Sequence, residues 1–579
     1  MNKYSMSFWL TIGMIAMSLD YVKSQEMICD ASDSGSNSKL SISEQIDALI
    51  TDEHLQAVNR RRRIIFQDDV LANGIFRNER VGEDRLERII DYYMSRIDAH
   101  PNQIDSVWHE WGEGNTAVWP SRVLPRTRNV FPKWWNAGID PVEVLLRETR
   151  KRGREVFFSY RINGSDNDDL FDPPHPFDQP IPLKAQHPDW LFYLWHTYWN
   201  FAYKQVRDLK LAIVREVAEM YAFDGIQIDF ARIPVLFPAG QQWEHRNLLT
   251  HFMREVRLAL LKEGKKRGRP FLLAARIPEN LMGCHFDGMD VETWAREKLV
   301  DIFVLGTRTA NVDIDAFRRI TEGTSIKLYP CWDDHHSSDG YLQTGIKVFR
   351  GVYANWWHQR PDGMHTFNLM MASPGTAERL GESYDPRWSV QRKVFNEIGT
   401  ADSLRGKDKI FFVERRGGGH GQRVVPSPSN WNTPRHMYFQ TNMLAPLPVP
   451  LARDEREDRL FLLPVADDVN RVSDVIDTIK LRVLISGGDK EVSDSQELKS
   501  WRDRIRLRLN NIPLENPRIV VVPGDAIRSN LEWIVFEVPA VSLAVGANLV
   551  GVSMGKWEPS GSEPVLIEKI ELEIDYHQE

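Results

Sequence analysis

The sequence predicts an α/β protein in which a (β/α)8 barrel is followed by an all-β sandwich of the jelly-roll type. The chain has 579 residues, too many for one hydrophobic core, which indicates two or three domains. Between about residues 60 and 400, short apolar segments alternate with helical patterns, as in α/β folds. From about residue 455 onward, short alternating segments follow one another without a long helical pattern.

Eight segments rich in Val, Ile, Phe or Leu are predicted as barrel strands, because buried parallel strands have this composition. They are Ile64–Asp69, Ser106–Trp111, Val156–Asn163, Gly225–Arg232, Phe271–Pro278, Asp301–Thr307, Ser325–Trp332 and Gly363–Met370. Helical patterns separate them, such as the apolar stripe from Val206 to Met220 and shorter helices at Asp290–Leu299 and Asp313–Thr321. Eight β-then-α units favour a closed barrel, and an open doubly wound sheet is the alternative.

Seven later segments alternate between apolar and polar residues, which is typical of a β-sandwich. They are Leu460–Leu463, Leu481–Leu484, Ile505–Leu509, Ile519–Val522, Trp533–Val538, Asn548–Val552 and Ile567–Ile574. Clusters rich in Gly, Pro, Ser and Asn precede them and indicate loops. The predicted division is a signal peptide (1–25), a flexible lead-in (26–58), the barrel (59–402), linker and loops (403–450) and the sandwich (451–579).

The N-terminal segment predicts export. Lys3 is followed by the apolar run Phe8–Leu19, which is too short to span a bilayer comfortably. Val22 and Ser24 then form a small-residue cleavage signal. We therefore expect a secreted or periplasmic protein with no membrane span after cleavage, and an uncleaved anchor is the alternative.

Composition excludes two classes of protein. The formal net charge of -8 argues against a general nucleic-acid binder, which needs a basic face. Three cysteines, Cys29, Cys284 and Cys331, are too few and too scattered for a disulfide framework or a zinc site. We expect Cys284 and Cys331 to be unpaired thiols, with a single bridge as the alternative.

The fourth strand carries the main candidate for chemistry. Active sites of (β/α)8 barrels lie at the carboxyl ends of the strands. Because side chains alternate along a strand, Gln227 and Asp229 point into the barrel while Ile226, Ile228 and Phe230 face the helices. Asp229 is thus predicted to be a nucleophile or base at the inner rim. A buried Asp paired with an Arg is the structural alternative.

Several segments resemble a known group of enzymes. FDGIQIDFARIPVLF resembles the fourth-strand segment of glycoside-hydrolase-like barrels, in which an Asp ends a DG-x-x-x-D strand. With RINGSD upstream and LLAARIPEN and LVDIFVLGTR downstream, residues 60 to 400 resemble secreted proteins related to family-10-like glycosyl hydrolases. The resemblance implies a barrel that acts on a carbohydrate, with Asp229 as the nucleophile. It leaves the position of the acid open.

Cleavage of a glycosidic bond needs a second carboxyl group to protonate the leaving oxygen. The candidates, in order, are Glu279 after the fifth strand, Asp333 (followed by Asp334) after the seventh and Glu110 in the second. Glu279 comes first because its strand neighbours the fourth in a barrel. A carboxyl separation of about 5–5.5 Å would imply retention of configuration, and about 6.5–9.5 Å would imply inversion.

Four arginines lie at or just past the ends of neighbouring strands and predict a positive mouth to the barrel. They are Arg161, Arg232, Arg276 and Arg308. Because Arg binds carboxylate and sulfate groups bidentately, they indicate an anionic glycan, and pairing with acids inside the protein is the equal alternative.

Three further residues complete the candidate binding site. Trp111 and Trp332 lie near strand ends and are predicted to stack on sugar rings, and Asn163 follows the third strand. The run from Trp332 to His336 does not predict a metal site, because adjacent residues seldom point to one ion. We expect no metal and no cofactor.

These patterns together predict a glycoside hydrolase that uses a pair of carboxylates at the barrel rim. The alternative from another class is a non-catalytic glycan-binding protein on the same scaffold, and a third is a secreted scaffold without an open cleft. Asp229, Arg161, Glu279, Arg308 and Asp333 are expected at one end of the barrel. The C-terminal region loosely resembles galactose-binding-like sandwiches, and we expect it to be a structural module.

Overall fold

The computed structural model of the protein describes residues 40–69, 86–112, 115–127, 132–164, 182–192, 198–306, 309–333, 341, 344–369, 388–415, 445–451, 455–486, 505–522, 531–555 and 565–577. From Ile46 to Glu579 the chain forms one compact unit that contains both the barrel and the sandwich. The predicted signal peptide, Cys29, Arg308 and the segment from Asp334 to His336 lie outside the described residues.

Eight parallel strands close into a barrel in chain order, which confirms the predicted closed barrel over the open sheet. They are β1 (Ile64–Asp69), β2 (Ile104–Glu110), β3 (Glu155–Arg161), β4 (Gly225–Asp229), β5 (Leu272–Ile277), β6 (Ile302–Leu305), β7 (Lys327–Asp333) and β8 (Met364–Phe367). The barrel closes where β8 pairs with β1. Strand β4 ends before the predicted Arg232, because the N–H groups of Phe230 and Ala231 both donate to the carbonyl of Arg276.

Helices surround the barrel. Those described are α1 (Ile42–Leu49), α2 (Asp52–Val58), α3 (Leu86–Asp98), α4 (Pro132–Asn136), α5 (Pro141–Lys151), α6 (Pro182–Gln186), α7 (Lys204–Met220), α8 (Arg246–Lys266), α9 (Leu281–Phe286), α10 (Val291–Arg296), α11 (Ile314–Ile320), α12 (Ile346–His358) and α13 (Trp388–Glu397). Asp313, predicted as helical, instead caps α11, because its carboxylate accepts the N–H of Ala316. Asp290 caps α10 in the same way. None of the described helices is long and apolar enough to cross a membrane.

The amino-terminal end of the barrel is closed by α2 and two buried ion pairs. Arg62 contacts both carboxylate oxygens of Glu155 at 2.7 Å. Arg257 contacts both carboxylate oxygens of Asp301, at 2.6 and 2.8 Å. The ring of His54, on α2, lies 2.8 Å from Asp301. These contacts join α2, α8 and the starts of the strands into one closed end.

Two antiparallel sheets follow the barrel, which confirms the predicted all-β region. The larger sheet contains β9 (Lys409–Phe412), β10 (Val449–Leu451), β12 (Ile476–Ser486), β15 (Arg518–Val522), β16 (Leu531–Glu537) and β18 (Val565–Tyr576), and the smaller contains β11 (Glu455–Val465), β13 (Ile505–Leu509), β14 (Ile512–Leu514) and β17 (Gly546–Met554). Strand β18 pairs with β9, β10 and β12. Strand β9 lies in the range that the sequence predicts as linker and loops, because its pairing with the distant β18 leaves no local signal.

Helix α12 packs directly on β9. A Cβ atom at Gly351 would lie 2.0 Å from the carbonyl oxygen of Ile410, so only glycine allows this approach. Lys347, also on α12, lies 2.8 Å from Glu573 and 2.5 Å from Asp575 on β18. The sandwich therefore packs against the barrel helix that follows β7.

Candidate active site

The predicted carboxylates lie at one end of the barrel. Strands β2, β3, β4 and β7 end at Glu110, Arg161, Asp229 and Asp333, and Glu279 follows the end of β5. All five side chains are buried. Because the carboxyl ends of parallel barrel strands meet at one rim, these residues share the end at which (β/α)8 active sites form.

Asp229 is held by two donors. Its Oδ2 atom lies 3.1 Å from Nη1 of Arg276 on β5, and its Oδ1 atom accepts the backbone N–H of Arg232 at 2.9 Å. Burial would lower the pKa of Arg276, but the charges of Asp229 and Asp333 help to outweigh burial and raise that pKa above its ordinary value. The buried Asp–Arg pair expected as the structural alternative is therefore present at the rim.

Arg161 and Arg232 also have contacts inside the protein. Nε of Arg161 lies 3.6 Å from Oε1 of Glu110, which accepts the N–H of Gly112 at 2.6 Å. Arg232 is half-buried, and its Nε is buried without a hydrogen-bond partner among the described residues. The predicted positive mouth is thus partly neutralised by acids within the barrel.

Asp333 and Glu279 are the other members of the predicted catalytic set. Asp333 is fully buried and close enough to raise the pKa of Arg276. Glu279 is 3% exposed, and its backbone carbonyl accepts the N–H of Asp313 at 3.0 Å. Gly306 has a φ of +86°, and a Cβ atom there would lie 3.3 Å from the Cβ of Glu279. The loop after β6 can therefore approach Glu279 because residue 306 has no side chain.

The prediction that Trp111 and Trp332 form stacking platforms is wrong. Trp111 is 2% exposed, and its ring centroid lies 6.5 Å from that of Phe158. Trp332 is 1% exposed and lies 4.9 Å from Phe349 of α12. Because side chains alternate along a strand, the acidic residue beside each tryptophan takes the inward direction and the tryptophan faces the helices.

Asn163 is a structural link and not the binding residue that the sequence predicts. Its side-chain amide donates to the carbonyls of Trp199 and Val235 at 2.9 and 2.6 Å, and its Oδ1 accepts the N–H of Trp199 at 2.9 Å. Both amide hydrogens and the oxygen are thereby engaged within the protein. Asn163 holds together the loops that follow β3 and β4.

A chain of five polar side chains, not predicted as site residues from the sequence, lies inside the barrel. The contacts run from Gln227 to Ser159 (2.7 Å), Gln67 (2.8 Å), His365 (2.9 Å) and Cys331 (3.2 Å). Burial lowers the pKa of His365 well below its ordinary value and raises the pKa of Cys331 to about 12. The imidazole and the thiol are therefore neutral. Strand alternation could have predicted these side chains from the sequence. Gln227 lies two residues before Asp229, and Ser159 lies two residues before Arg161, so each faces the barrel interior with its neighbour.

Cys284 and Cys331 are buried free thiols, which confirms the prediction for these two residues. Among the described residues, no group of three or more His, Cys, Asp or Glu side chains is arranged to hold a metal ion.

The fold and the rim define a class: a (β/α)8 barrel protein with buried carboxylates beside arginines at its carboxyl end. No family model matches the chain. Over 138 residues the chain is 30% identical to the glycosyl hydrolase DigH of Escherichia coli K12, and the same values hold for DigH of Shigella flexneri. The match covers 22% of this chain, and the chain spans 30% of the length of these relatives.

Solved structures with a similar architecture share little sequence with the chain. The glycoside hydrolase domain of PgaB from Bordetella bronchiseptica is 12% identical with a TM-score of 0.37, covering 58% of this chain and 99% of that chain. The α-L-fucosidase isoenzyme 2 from Paenibacillus thiaminolyticus is 13% identical with a TM-score of 0.38, covering 60% and 51%. The fold assignment rests on the closed strand order of the barrel itself.

Proposed function

We propose that the protein is a glycoside hydrolase that acts on a poly- or oligosaccharide at the carboxyl-terminal rim of its barrel, with Asp229 as the key carboxylate. The observation that carries the proposal is the buried Asp229–Arg276 pair, which lies at the rim with further buried carboxylic acids. The 30% identity to a glycosyl hydrolase over 138 residues supports the reaction class.

The contacts suggest a division of roles. Asp229 accepts hydrogen bonds from Arg276 and from a backbone N–H, which hold its side chain in place at the rim and suit it to act as a nucleophile or base. A second carboxyl group must then protonate the leaving oxygen. Glu279 is our first candidate because β5 neighbours β4, and Asp333, at the end of β7, is the second. Glu110, beside Arg161, is the third.

The test compares Asp229→Asn with wild type on a panel of neutral and acidic glycans. We expect hydrolysis by wild type and a loss of at least about 10²-fold in the variant. Asp290→Asn is the matched control, because Asn can replace the Asp cap of α10, whose hydrogen bonds are to Thr293. Hydrolysis at the wild-type rate by Asp229→Asn would refute the assignment. Glu279→Gln and Asp333→Asn then separate the acids, since loss of the acid matters least for substrates with good leaving groups.

An anionic glycan is the narrower form of the proposal. It depends on the rim arginines, of which Arg276 and Arg161 already contact Asp229 and Glu110. The proposal of an anionic glycan therefore depends on Arg232, whose side chain is half-buried. If it is correct, Arg232→Gln should weaken binding of uronic-acid or sulfated glycans and leave neutral glycans unaffected.

A non-catalytic glycan-binding protein is the second candidate. The pairing of Arg161 with Glu110 favours it, because buried ion pairs also occur as purely structural features. Binding of a glycan without hydrolysis by the wild-type protein would support this candidate over the hydrolase. Export is also proposed, and N-terminal sequencing of the exported protein tests it: a chain beginning near residue 25 is expected, whereas an intact N-terminus would indicate an anchor.

A further inference from the structure

An exposed apolar surface lies on the loops that follow β4 and β5. We call it the rim platform, and it consists of Trp243, Met282, His285 and Phe286. Met282 and Phe286 are 56% and 54% exposed and lie one helical turn apart on α9. His285 is exposed between them, and Trp243 is half-buried. An exposed patch of this kind is characteristic of a ligand-binding surface.

The rim platform is held in a fixed arrangement. The rings of Trp243 and His285 stack with centroids 3.5 Å apart and planes at 13°, and Cζ of Arg246 lies 4.8 Å from the Trp243 ring. Gly288 has a φ of +78°, and a Cβ atom there would lie 2.4 Å from the carbonyl oxygen of Gln242. The two loops therefore touch backbone to backbone, and a fixed aromatic surface loses little entropy when a ligand binds.

The rim platform and the candidate active site lie on the same two segments of the chain. Glu279 and Asn280 directly precede α9, and Asn280 caps this helix by accepting the N–H of Gly283 at 2.7 Å. Trp243 belongs to the segment that begins after Asp229. The same two loops thus carry both the proposed catalytic carboxylates and the exposed aromatic residues.

The chemistry of the rim platform fits a sugar ring. Helix α9 has the sequence LMGCHF and contains no Asp, Glu, Lys or Arg. A pyranose ring presents C–H groups on its flat faces, and these pack on aromatic rings without needing an opposite charge. A uronic acid would find no Lys or Arg on α9, and Arg246, the cation described beside the platform, already packs on the Trp243 ring.

We propose that the rim platform binds a sugar ring without an acid group, beyond the ring that is cleaved, so that the substrate is a glycan chain and not a monosaccharide glycoside. This inference rests on the proposed function, because the catalytic carboxylates define which ring is cleaved.

The test measures binding in the Asp229→Asn background, where cleavage does not interfere. The probes are cellohexaose, chitohexaose, hexagalacturonate and the disaccharide cellobiose, titrated by calorimetry. His285→Ala and Phe286→Ala should each weaken the Kd of a neutral hexasaccharide by about 3- to 10-fold and leave the disaccharide unaffected. Val541→Ala, at an 81% exposed position in the sandwich, is the control and should change nothing.

Four results would overturn the inference: unchanged hexasaccharide affinity in both platform variants, an equal loss in Val541→Ala, no binding of any hexasaccharide, or a platform-dependent preference for hexagalacturonate. A change of oligomeric state in Phe286→Ala, seen by analytical ultracentrifugation, would also overturn it and would indicate that a second copy covers the surface. Failure of the proposed function gives a different result: wild type cleaves no glycan, while the platform variants still weaken hexasaccharide binding.

Discussion

Both ends of the barrel bury arginine–carboxylate pairs, but the pairs differ in geometry. At the amino-terminal end, Arg257 meets both oxygens of Asp301 at 2.6 and 2.8 Å, and Asp301 also contacts His54 and the N–H of Leu273. At the carboxyl-terminal end, Arg276 meets one oxygen of Asp229 at 3.1 Å, and the other oxygen accepts the backbone N–H of Arg232 at 2.9 Å. Among the described residues, Asp301 thus engages a bidentate arginine, a histidine and a backbone N–H, whereas Asp229 engages one arginine N–H and one backbone N–H.

The difference separates structural ion pairs from functional ones. A carboxylate whose lone pairs are all occupied by the protein has nothing left to offer a ligand, and its loss leaves a buried charge uncompensated. Replacing a carboxylate with fewer partners costs less stability, and the remaining lone pairs of that carboxylate can accept hydrogen bonds from a substrate. Stability should therefore depend mainly on the amino-terminal end, and activity on the carboxyl-terminal end.

The largest effect is expected from exchanging Asp for Asn at each end. Asp301→Asn should lower the free energy of unfolding by about 3–5 kcal/mol, because Arg257 loses its charged partner in the interior. Asp229→Asn should lower it by about 1–2 kcal/mol, because Asp333 still compensates Arg276. Urea unfolding followed by circular dichroism measures both values. Equal losses, or a larger loss for Asp229→Asn, would contradict the distinction between the ends.

Glycine-to-alanine changes, one at each end of the barrel, also test the comparison between the ends. A Cβ atom at Gly363 would lie 2.0 Å from the carbonyl oxygen of Arg62 at the amino-terminal end, whereas one at Gly306 would crowd Glu279 at 3.3 Å. Each Gly→Ala change should destabilise by about 1–3 kcal/mol, through overpacking or a strained backbone. Only Gly306→Ala should also lower kcat on a glycan that wild type cleaves. A matching kcat loss in Gly363→Ala would argue that activity follows general stability.

Acid should destabilise the amino-terminal end through protonation of Asp301. Burial raises the pKa of Asp301, but the charge of Arg257 and the contact with His54 outweigh burial and hold this pKa well below its ordinary value. The folded state therefore favours the carboxylate, so the stabilisation is present above the unfolded pKa of about 3.9 and is lost as the pH falls below it. Between about pH 4 and pH 2, Asp301→Asn should lose less stability than wild type. Parallel curves of unfolding free energy against pH would show that other groups control acid unfolding.

The smallest effect is expected at Arg161. Its Nε lies 3.6 Å from Glu110, and Glu110 retains its hydrogen bond from Gly112 when the guanidinium is removed. Arg161→Gln should therefore change the free energy of unfolding by no more than about 1.5 kcal/mol. Thermal unfolding measures this change. A loss of stability as large as that of Asp301→Asn would show that the Arg161–Glu110 pair mainly stabilises the fold.

The barrel and its candidate carboxylates could be predicted because both follow from local rules. Apolar segments separated by helical stripes indicate parallel strands, and alternation along Gln227–Asp229 assigns Asp229 to the interior. The stacking residues could not be predicted from proximity to a strand end, because adjacent residues such as Trp332 and Asp333 face opposite directions. No strand pattern in the sequence predicts the rim platform, because His285 meets Trp243 only through contact between two separate loops.

The amino-terminal network was also beyond local prediction. Asp301 and its partners Arg257 and His54 are separated by 44 and 247 positions along the chain, so no sequence spacing reveals them. Strand β9 shows the same limit in the sandwich: four residues become a strand because Phe412 and Lys409 lie opposite Glu571 and Ile574. In both cases tertiary contacts, and not the local sequence pattern, determine the structure.

The position of β18 in the larger sheet affects the order in which the two regions can be assembled during synthesis. Strands β9, β10 and β12 all pair with β18, which follows every other described strand along the chain. The ribosome completes all eight barrel strands well before residue 565 emerges. Until then, among the described strands of this sheet, β9 and β10 have no partner and β12 has only β16. The barrel can therefore fold while the chain is still being made, but the larger sheet must wait for its final strand, with strand edges open to wrong pairing in the interval.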